Sequence, residues 1–379
     1  MSDPLYRDSP RTKAIRRLSE WIEQGVLPAG QPLPTERELA ERLDLPRSTV
    51  ARAIDGVIAR GLVRSDGGHS RTVVGPHRAG VLNGTVVVVG NPLDEAVETD
   101  SLAYAEHITT GILAELRAQS LDALVLDARR VDQAQLLRLV DQGVSGVLVP
   151  AGSGQPRIDP DAMRDILLAI VQRGIPAVIF GDESGEAVDR VAHDHEAGAD
   201  AVTSYVIGRG CTRPLQVFSG PLDLIWTRQR RAGYERAMRR AGLEALPPLQ
   251  VPELPASSEA ALHPDRSARY LLGYLFDHLG PQVAAPVDAL ILLTDYEAES
   301  ARRACALLGR EPVLAGYDAA VGRWAAGRCW EPAPIVATID KQLWLCGVEM
   351  VRLMQWRIEL GSEPAPRRVA VEPRLITTA

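Results

Sequence analysis

The sequence predicts an α/β protein that opens with a small head of helices and a hairpin and continues as parallel sheets in two lobes. Three observations carry the prediction. Residues 34–64 hold two short amphipathic helical patterns separated by a tight turn. From about Leu82 onward, short apolar runs alternate with amphipathic segments of helical length, the pattern of parallel strands covered on both faces. About 300 residues follow that alternation, too many for one comfortable sheet, so two lobes are expected.

In the head, Ser9-Pro10 opens a helix through about Gln24, with Ile15, Leu18, Trp21 and Ile22 facing inward and Gly25 at its end. Thr35-x-x-Glu38 is a capping box that starts a second helix, which carries Leu39, Ala40 and Leu43 on one face. Asp44 tolerates the left-handed conformation a turn needs, and Pro46 blocks continuation and sets the next helix start. In that third helix Val50, Ala53, Ile54, Val57 and Ile58 fall at core spacing. Arg47, Ser48, Thr49 and Arg52 gather near its N-terminal end, where a helix lying in a major groove needs donors. Gly61 ends it, and residues 62–64 and 71–74 read as two short strands around Asp66-Gly67-Gly68, a wing. The pattern is a winged helix-turn-helix, a module that reads duplex DNA.

These residues resemble the GntR family of winged helix-turn-helix regulators. The resemblance rests on Leu5-Tyr6, residues 25–30 (GVLPAG), 33–40 (LPTERELA), 47–52 (RSTVAR) and 61–63 (GLV), and covers about the first 75 residues. By position it implies DNA contacts from Arg37, Arg47, Thr49, Arg52 and the wing around Gly68 and His69; Thr35 and Ser48 join them as DNA-binding candidates. Pro46 departs from the usual Ser cap, and the wing reads Gly-Gly-His-Ser-Arg in place of Gly-x-Gly-Thr-Phe. Any one of these arginines, taken alone, also reads as a solvated surface charge.

Charge agrees modestly. Residues 1–80 hold 13 basic and 10 acidic residues, within a chain whose net charge is −7. A slightly positive head on an acidic body binds phosphate through a placed patch and not by bulk attraction. No apolar run approaches a membrane span, and the Asp- and Arg-bearing N-terminus does not read as a signal peptide. Cys211, Cys305, Cys329 and Cys346 stand far apart without metal-ligand spacing, so reduced thiols in a cytoplasmic protein are expected. With 46% hydrophobic residues the 379-residue chain has ample material for a large core.

In the body, strand runs are expected at residues 85–90, 123–126, 146–150, 176–181, 215–219, 289–294, 313–317 and 335–339. Helices are expected at 107–119, 133–142, 162–173, 197–207 and 228–241, and loops at 208–214 and 243–264. This body resembles the effector domain of LacI/GalR regulators, the fold of periplasmic sugar-binding proteins. The matching pieces are residues 142–150 (QGVSGVLVP), 174–180 (GIPAVIF), 191–198 (VAHDHEAG), 228–234 (RQRRAGY), 292–295 (LLTD) and 314–318 (LAGYD). A GntR-type head on such a body is similar to the arabinose-repressor arrangement, though a short linker replaces the LacI hinge helix. The expected division is 1–75 for the DNA-binding head, 76–84 for the linker and 85–379 for a two-lobed effector-binding and dimerisation domain.

The resemblance implies a small polar effector, a sugar or sugar derivative, bound between the lobes. By family position Asp194, Arg230 and Asp318 are its ligands: carboxylates accept from vicinal hydroxyls and a guanidinium donates a rigid fork. Thr294 and Asp295 lie at another strand end, Trp226 offers an apolar face to a ring, and Lys341 follows the 335–339 strand. Each has a plainer reading: Asp194 as a helix cap, Trp226 as core, Lys341 as a solvated charge. His195 and Thr294 stand where sugar-binding relatives carry Asn, and the acidic loop 91–100 is long, which leaves the ligand open.

Enzyme readings lack a basis. There is no Gly-x-Ser-x-Gly, P-loop or His-Glu-x-x-His, and neither Lys13 nor Lys341 has the setting of a pyridoxal-phosphate lysine, so no cofactor and no metal are expected. The expected function is a DNA-binding transcription regulator, a repressor, that binds a duplex operator as a homodimer and answers to the effector. The alternative is a regulator with a degenerate cleft, controlled by a protein partner or by oligomerisation.

Overall fold

The computed structural model describes residues 9–28, 30–59, 62–65, 71–73, 82, 84–90, 100–128, 130–150, 160–181, 188–252, 263–319, 335–360 and 365–377. Local chemistry starts each head helix. Ser9 Oγ accepts from Thr12 N at 3.1 Å ahead of α1 (Pro10–Glu23). Before α2 (Glu36–Leu43), Thr35 Oγ1 accepts from Glu38 N at 3.3 Å while Glu38 Oε2 accepts from Thr35 N at 2.8 Å. Asp44 closes that helix at φ 52°, and α3 (Arg47–Ala59) follows Pro46. The wing strands β1 (Val63–Ser65) and β2 (Arg71–Val73) pair antiparallel, Val63 opposite Val73. The far side of β2 is bonded by Leu33 N to Arg71 O (2.8 Å) and Gly30 N to Val73 O (2.7 Å). Ile15, Leu18, Leu39, Val50, Ile54 and Val57 close a core that, among the described residues, spans Ala14 to Val73. Gly61, Gly68, His69 and most of the 76–84 linker lie outside the described residues.

The body continues as β3 (Thr85–Gly90), α4 (Asp100–Ala118), β4 (Asp122–Asp127), α5 (Gln133–Asp141), β5 (Gly146–Val149), α6 (Pro160–Gln172), β6 (Ala177–Phe180) and β7 (Asp189–His193). Next come α7 (His195–Gly208), β8 (Pro214–Phe218), α8 (Ile225–Arg240), β9 (Leu249–Gln250), α9 (Pro264–Leu279) and β10 (Ala289–Leu292). A 3₁₀ turn at Asp295–Glu297 leads to α10 (Ala298–Leu307), β11 (Val313–Tyr317), β12 (Ile335–Asp340), α11 (Leu343–Leu360), β13 (Arg368–Val371) and β14 (Arg374–Thr377). Every expected strand run holds a strand. The chain divides into two compact units, residues 1–95, 105–191 and 346–369 in one, and 96–104, 192–345 and 370–379 in the other.

Each unit has one six-stranded sheet. The first is ordered β13-β7-β6-β5-β3-β4 and the second β14-β12-β11-β10-β8-β9. In the second, β12, β11, β10, β8 and β9 run parallel and β14 antiparallel. Alternation along its strands feeds two cores. Leu215, Val217, Leu290, Leu292 and Leu314 face α9 and α10. Ala289, Ile291, Ala315, Tyr317, Ala337 and Ile339 face α7 and α8. Cys211, Cys305 and Cys346 are buried, and Cys329 lies outside the described residues.

Some elements were faint in the sequence. α4 begins seven residues before the expected position because 101–106 offers only Leu102 and Tyr104 as large apolar residues. β7 escaped because it carries Asp189 and Arg190; Asp189 is buried against Arg357 Nε at 2.6 Å and Arg367 N at 2.7 Å. The loop expected at 243–264 contains the two-residue strand β9.

The pair α7 and α8 packs through Gly233, where a Cβ would lie 2.1 Å from Glu196 O and 2.9 Å from Asp200 N. Arg236 Nε (2.9 Å) and Arg240 Nη2 (2.7 Å) then reach Asp200 across the two helices. Gly233→Ala is expected to destabilise this unit by about 1–3 kcal/mol through overpacking. Gly273→Ala in α9, where a Cβ meets nothing within 4 Å, should instead stabilise by about 0.5–1 kcal/mol. Urea denaturation followed by tryptophan fluorescence distinguishes the two.

Candidate nucleic-acid interface and a buried polar cluster

The first turns of α3 present Arg47, Ser48 and Arg52 to solvent. Arg47 has a side chain 73% exposed, and Arg52 Nε donates to Ser48 O at 3.3 Å. Arg37 of α2 is exposed and shares a shallow groove with Asp44, Pro46 and Arg47. Thr35 is exposed, but its hydroxyl is engaged by Glu38. Thr49 differs from its neighbours: it is only 8% exposed, so the helix turns it toward the head's core side. The exposed donors on this face are therefore Arg37, Arg47, Ser48 and Arg52.

A second site forms at the C-terminal edge of the second sheet. Parallel strands bring Ser219, Thr294, Asp295, Asp318 and Lys341 to one edge, since each follows a strand of the same direction. Arg230 of α8 lies at its centre, 2% exposed, donating from Nη1 to Leu293 O at 3.0 Å. Its guanidinium sits 3.7 Å from the Tyr317 ring centroid and 5.1 Å from that of Trp226. Trp226 is half-buried and stands 6.3 Å from the His195 ring, which is itself 5.3 Å from His193. Thr338 Oγ1 donates to Asp295 Oδ2 at 2.8 Å, and Gly316 admits that carboxylate, since a Cβ there would lie 2.3 Å from Asp295 Oδ1. Asp194 caps α7 by accepting from Ala197 N at 2.8 Å.

Asp318 and Ala319 adopt left-handed backbone, φ 89° and 48°, without being glycine. Asp318 N bonds Ile339 O at 2.8 Å and Ala319 N bonds Thr338 Oγ1 at 3.2 Å, which holds the strained turn. The Asp318 carboxylate so placed pairs with the Lys341 ammonium. Lys341 is not a solvated charge: its side chain is 11% exposed. Burial lowers its pKa, opposed by Asp318, while Arg230 adds to the lowering. Burial likewise drives His193 well below its ordinary range, helped by the charges of Lys341 and Arg230, so it is neutral near pH 7. Burial raises Glu297, whose Oε1 accepts from Ser219 Oγ at 2.6 Å, to about 7. Among the described residues, Thr294 Oγ1, Glu297 Oε2, Tyr317 OH and Arg230 Nε are buried without a hydrogen-bond partner.

Comparison with known proteins bears on both sites. Residues 10–73 match the family model described as bacterial regulatory proteins, gntR family. Residues 10–73 are a GntR-family DNA-binding domain. The GntR head is joined to a body whose fold is that of LacI-family regulators. The chain is similar to the transcriptional regulator CelR in a cellobiose complex, at 21% identity over 91% of this chain and 99% of that one, TM-score 0.56. A regulatory protein of the LacI family from Chloroflexus aggregans is similar at 20% identity, covering 79% and 98% of the two chains, TM-score 0.54. A LacI family transcriptional regulator from Enterococcus faecium with bound ribose is similar at 16% identity, covering 77% and 97%, TM-score 0.52. No curated protein sequence matches the chain.

The structure brings Arg230, Trp226, Asp295, Thr294, Asp318 and Lys341 to one edge, with Asp194 at the head of α7 in the same unit. Sequence reasoning missed His193, Glu297 and Tyr317. Tyr317 was readable as the residue before Asp318 at a strand end; Glu297 gave no signal, because a carboxylate at a helix start reads as exposed.

Glu297 sets a pH dependence. The folded chain keeps this proton up to about pH 7, whereas the unfolded chain loses it near the ordinary 4.5. Between those values the unfolded state binds fewer protons, so the contribution of this group to stability falls as pH rises, and levels off above about 7. Glu297→Gln should remove a pH-dependent difference of order 3 kcal/mol, read as wild-type minus variant unfolding free energy from pH 4.5 to 7.5.

Proposed function

We propose that the chain is a ligand-controlled transcription regulator. Its GntR head, residues 1–75, reads a near-palindromic duplex operator as part of a homodimer. Residues 85–379 bind a small polar effector, a sugar or sugar derivative, at the C-terminal edge of the second sheet, and residues 76–84 link the two. The protein acts by binding and not by catalysis, in the cytoplasm, and represses its targets. The observation that carries the reading is one chain holding both an exposed donor face on a GntR recognition helix and a buried, strained cluster of opposite charges beside aromatic rings.

Several features support it. Among the described residues, the head's core draws on none beyond 73, as expected of a module that works on its own scaffold. Two copies are needed because one such head contacts only a few base pairs. The unpartnered buried polar atoms around Arg230 each cost about 1–3 kcal/mol, which a cluster built only for packing would avoid. Trp226 and His195 offer ring faces, and Asp194 and Asp318 offer acceptors, the mixture that hydroxyl-rich rings call for. Regulators of the same fold are recorded with cellobiose and with ribose, which favours a carbohydrate here.

One observation favours a second reading. Lys341 and Asp318 already satisfy each other, so an effector has to share or replace their ion pair. If none does, DNA binding is governed by a protein partner or by oligomerisation.

Arg52→Ala is expected to weaken binding to a selected operator by about 1–3 kcal/mol while affecting random duplex far less. Fluorescence anisotropy with both duplexes checks this, and equal losses on both would remove Arg52 from base reading. For the effector, a library of neutral and modified sugars is screened by thermal shift, since a ligand stabilises the state it binds. The active compound is then titrated into a gel shift with wild type, Trp226→Ala and Asp318→Ala. Both variants should need at least about tenfold more compound, with compound-free operator binding near wild type. An unchanged response in both would remove this edge as the site; no response of the wild type to any compound selects the second reading.

A further inference from the structure

At the start of α2 one carboxylate holds two arginines from different elements. Glu36 Oε2 accepts from Arg47 Nε at 3.1 Å and Glu36 Oε1 accepts from Arg71 Nη1 at 3.0 Å. Arg47 is the first residue of α3 and Arg71 the first of β2, the strand that returns from the wing. The side chains of Glu36 and Arg71 are 22% and 23% exposed, against 73% for Arg47. The bond to Arg71, followed by that to Arg47, holds the Glu36 carboxyl below its usual range, so it is ionised wherever the protein works.

The bond engages only Nε of Arg47. Its terminal nitrogens take no part in that bond, and a guanidinium held at Nε by a carboxylate turns its outer fork toward bidentate reading of a base edge. A carboxylate on a phosphate-facing surface weakens sequence-independent attraction. Its place there is understandable if it contributes discrimination instead. We propose that Glu36 is a positioning residue for sequence reading: it orients Arg47 and ties the wing's return strand to the recognition helix. The inference rests on the DNA-reading assignment of the head and deepens it.

The test uses the full chain. A duplex is selected from a random library with the wild type. Its affinity and that of a scrambled duplex are measured at several salt concentrations for wild type, Glu36→Gln, Arg47→Ala and the double variant, with thermal melting of each. Glu36→Gln is expected to lower the selected-to-scrambled affinity ratio at least about fivefold. Affinity for the scrambled duplex should hold or rise, with a log–log salt slope steeper by no more than about 1. In the Arg47→Ala background the same change should alter the ratio by less than about twofold, because the positioned group is gone.

A ratio unchanged by Glu36→Gln overturns the proposal, as does an undiminished effect in the Arg47→Ala background. Loss of both affinities together with a lower melting temperature overturns it too, by showing a merely structural role. If the wild type enriches no sequence at all, the DNA-reading assignment falls and the proposal with it, an outcome visible before any variant is made.

Discussion

The parallel alignment of β8, β10, β11 and β12 is the constraint on which the second unit depends. Parallel pairing sends all four C-terminal ends to one edge, because each strand must be reached by a crossover that returns to the opposite side. Residues as far apart as Ser219, Asp295, Asp318 and Lys341 meet there without any sequence proximity. The same alignment fixes which strand residues feed each core, so the edge rests on two independently packed faces. The meeting of these residues at one edge is thus a consequence of backbone direction before any side chain is considered.

Side chains then have to make that edge tolerable. Arg230, Asp295 and Glu297 are each almost wholly buried, and isolated buried charges are costly. Arg230 is held by a carbonyl and an aromatic face, Asp295 by a hydroxyl, and Glu297 keeps its proton up to about pH 7. Lys341 and Asp318 are paired, yet a buried pair gives little net stability once desolvation is counted. An apolar set of similar volume would serve packing as well. The strained backbone at Asp318 sharpens the point, since a glycine would relieve it and none is there.

The sequence disclosed what is local. Caps at Ser9 and Thr35, the turn at Asp44-Pro46 and the spacing of Val50, Ile54 and Val57 each act within a few residues, so the described helices of the head were readable. Apolar strand runs were readable for the same reason. What failed to show depends on partners far along the chain. β7 holds because Asp189 meets Arg357, 168 residues away, and a charged strand gives no apolar signal. Thr49 looks like a surface donor until α3 is packed. Glu297 looks exposed until Ser219 and the sheet edge close over it. Lys341, named as an effector candidate, also allowed a reading as a solvated charge because nothing near it in sequence announces Asp318.

The proposed control by an effector needs an energetic difference between two states, since a ligand with equal affinity for both shifts nothing. Under that proposal, the strained turn at Asp318 is where the second unit would hold such a difference. Its left-handed residues are kept in place by Ile339 O and Thr338 Oγ1 of β12, and Thr338 also reaches Asp295 beyond β10. A hydroxyl that takes over part of Asp318 from Lys341 alters the electrostatic balance of that turn, of His193 and of Arg230 together, because Lys341 acts on both Asp318 and His193. Loosening or tightening one strained turn therefore changes the free energy of the whole edge. Coupling to the head requires only that this free energy differ between DNA-bound and DNA-free protein, and reciprocity then obliges DNA to alter effector affinity by the same factor.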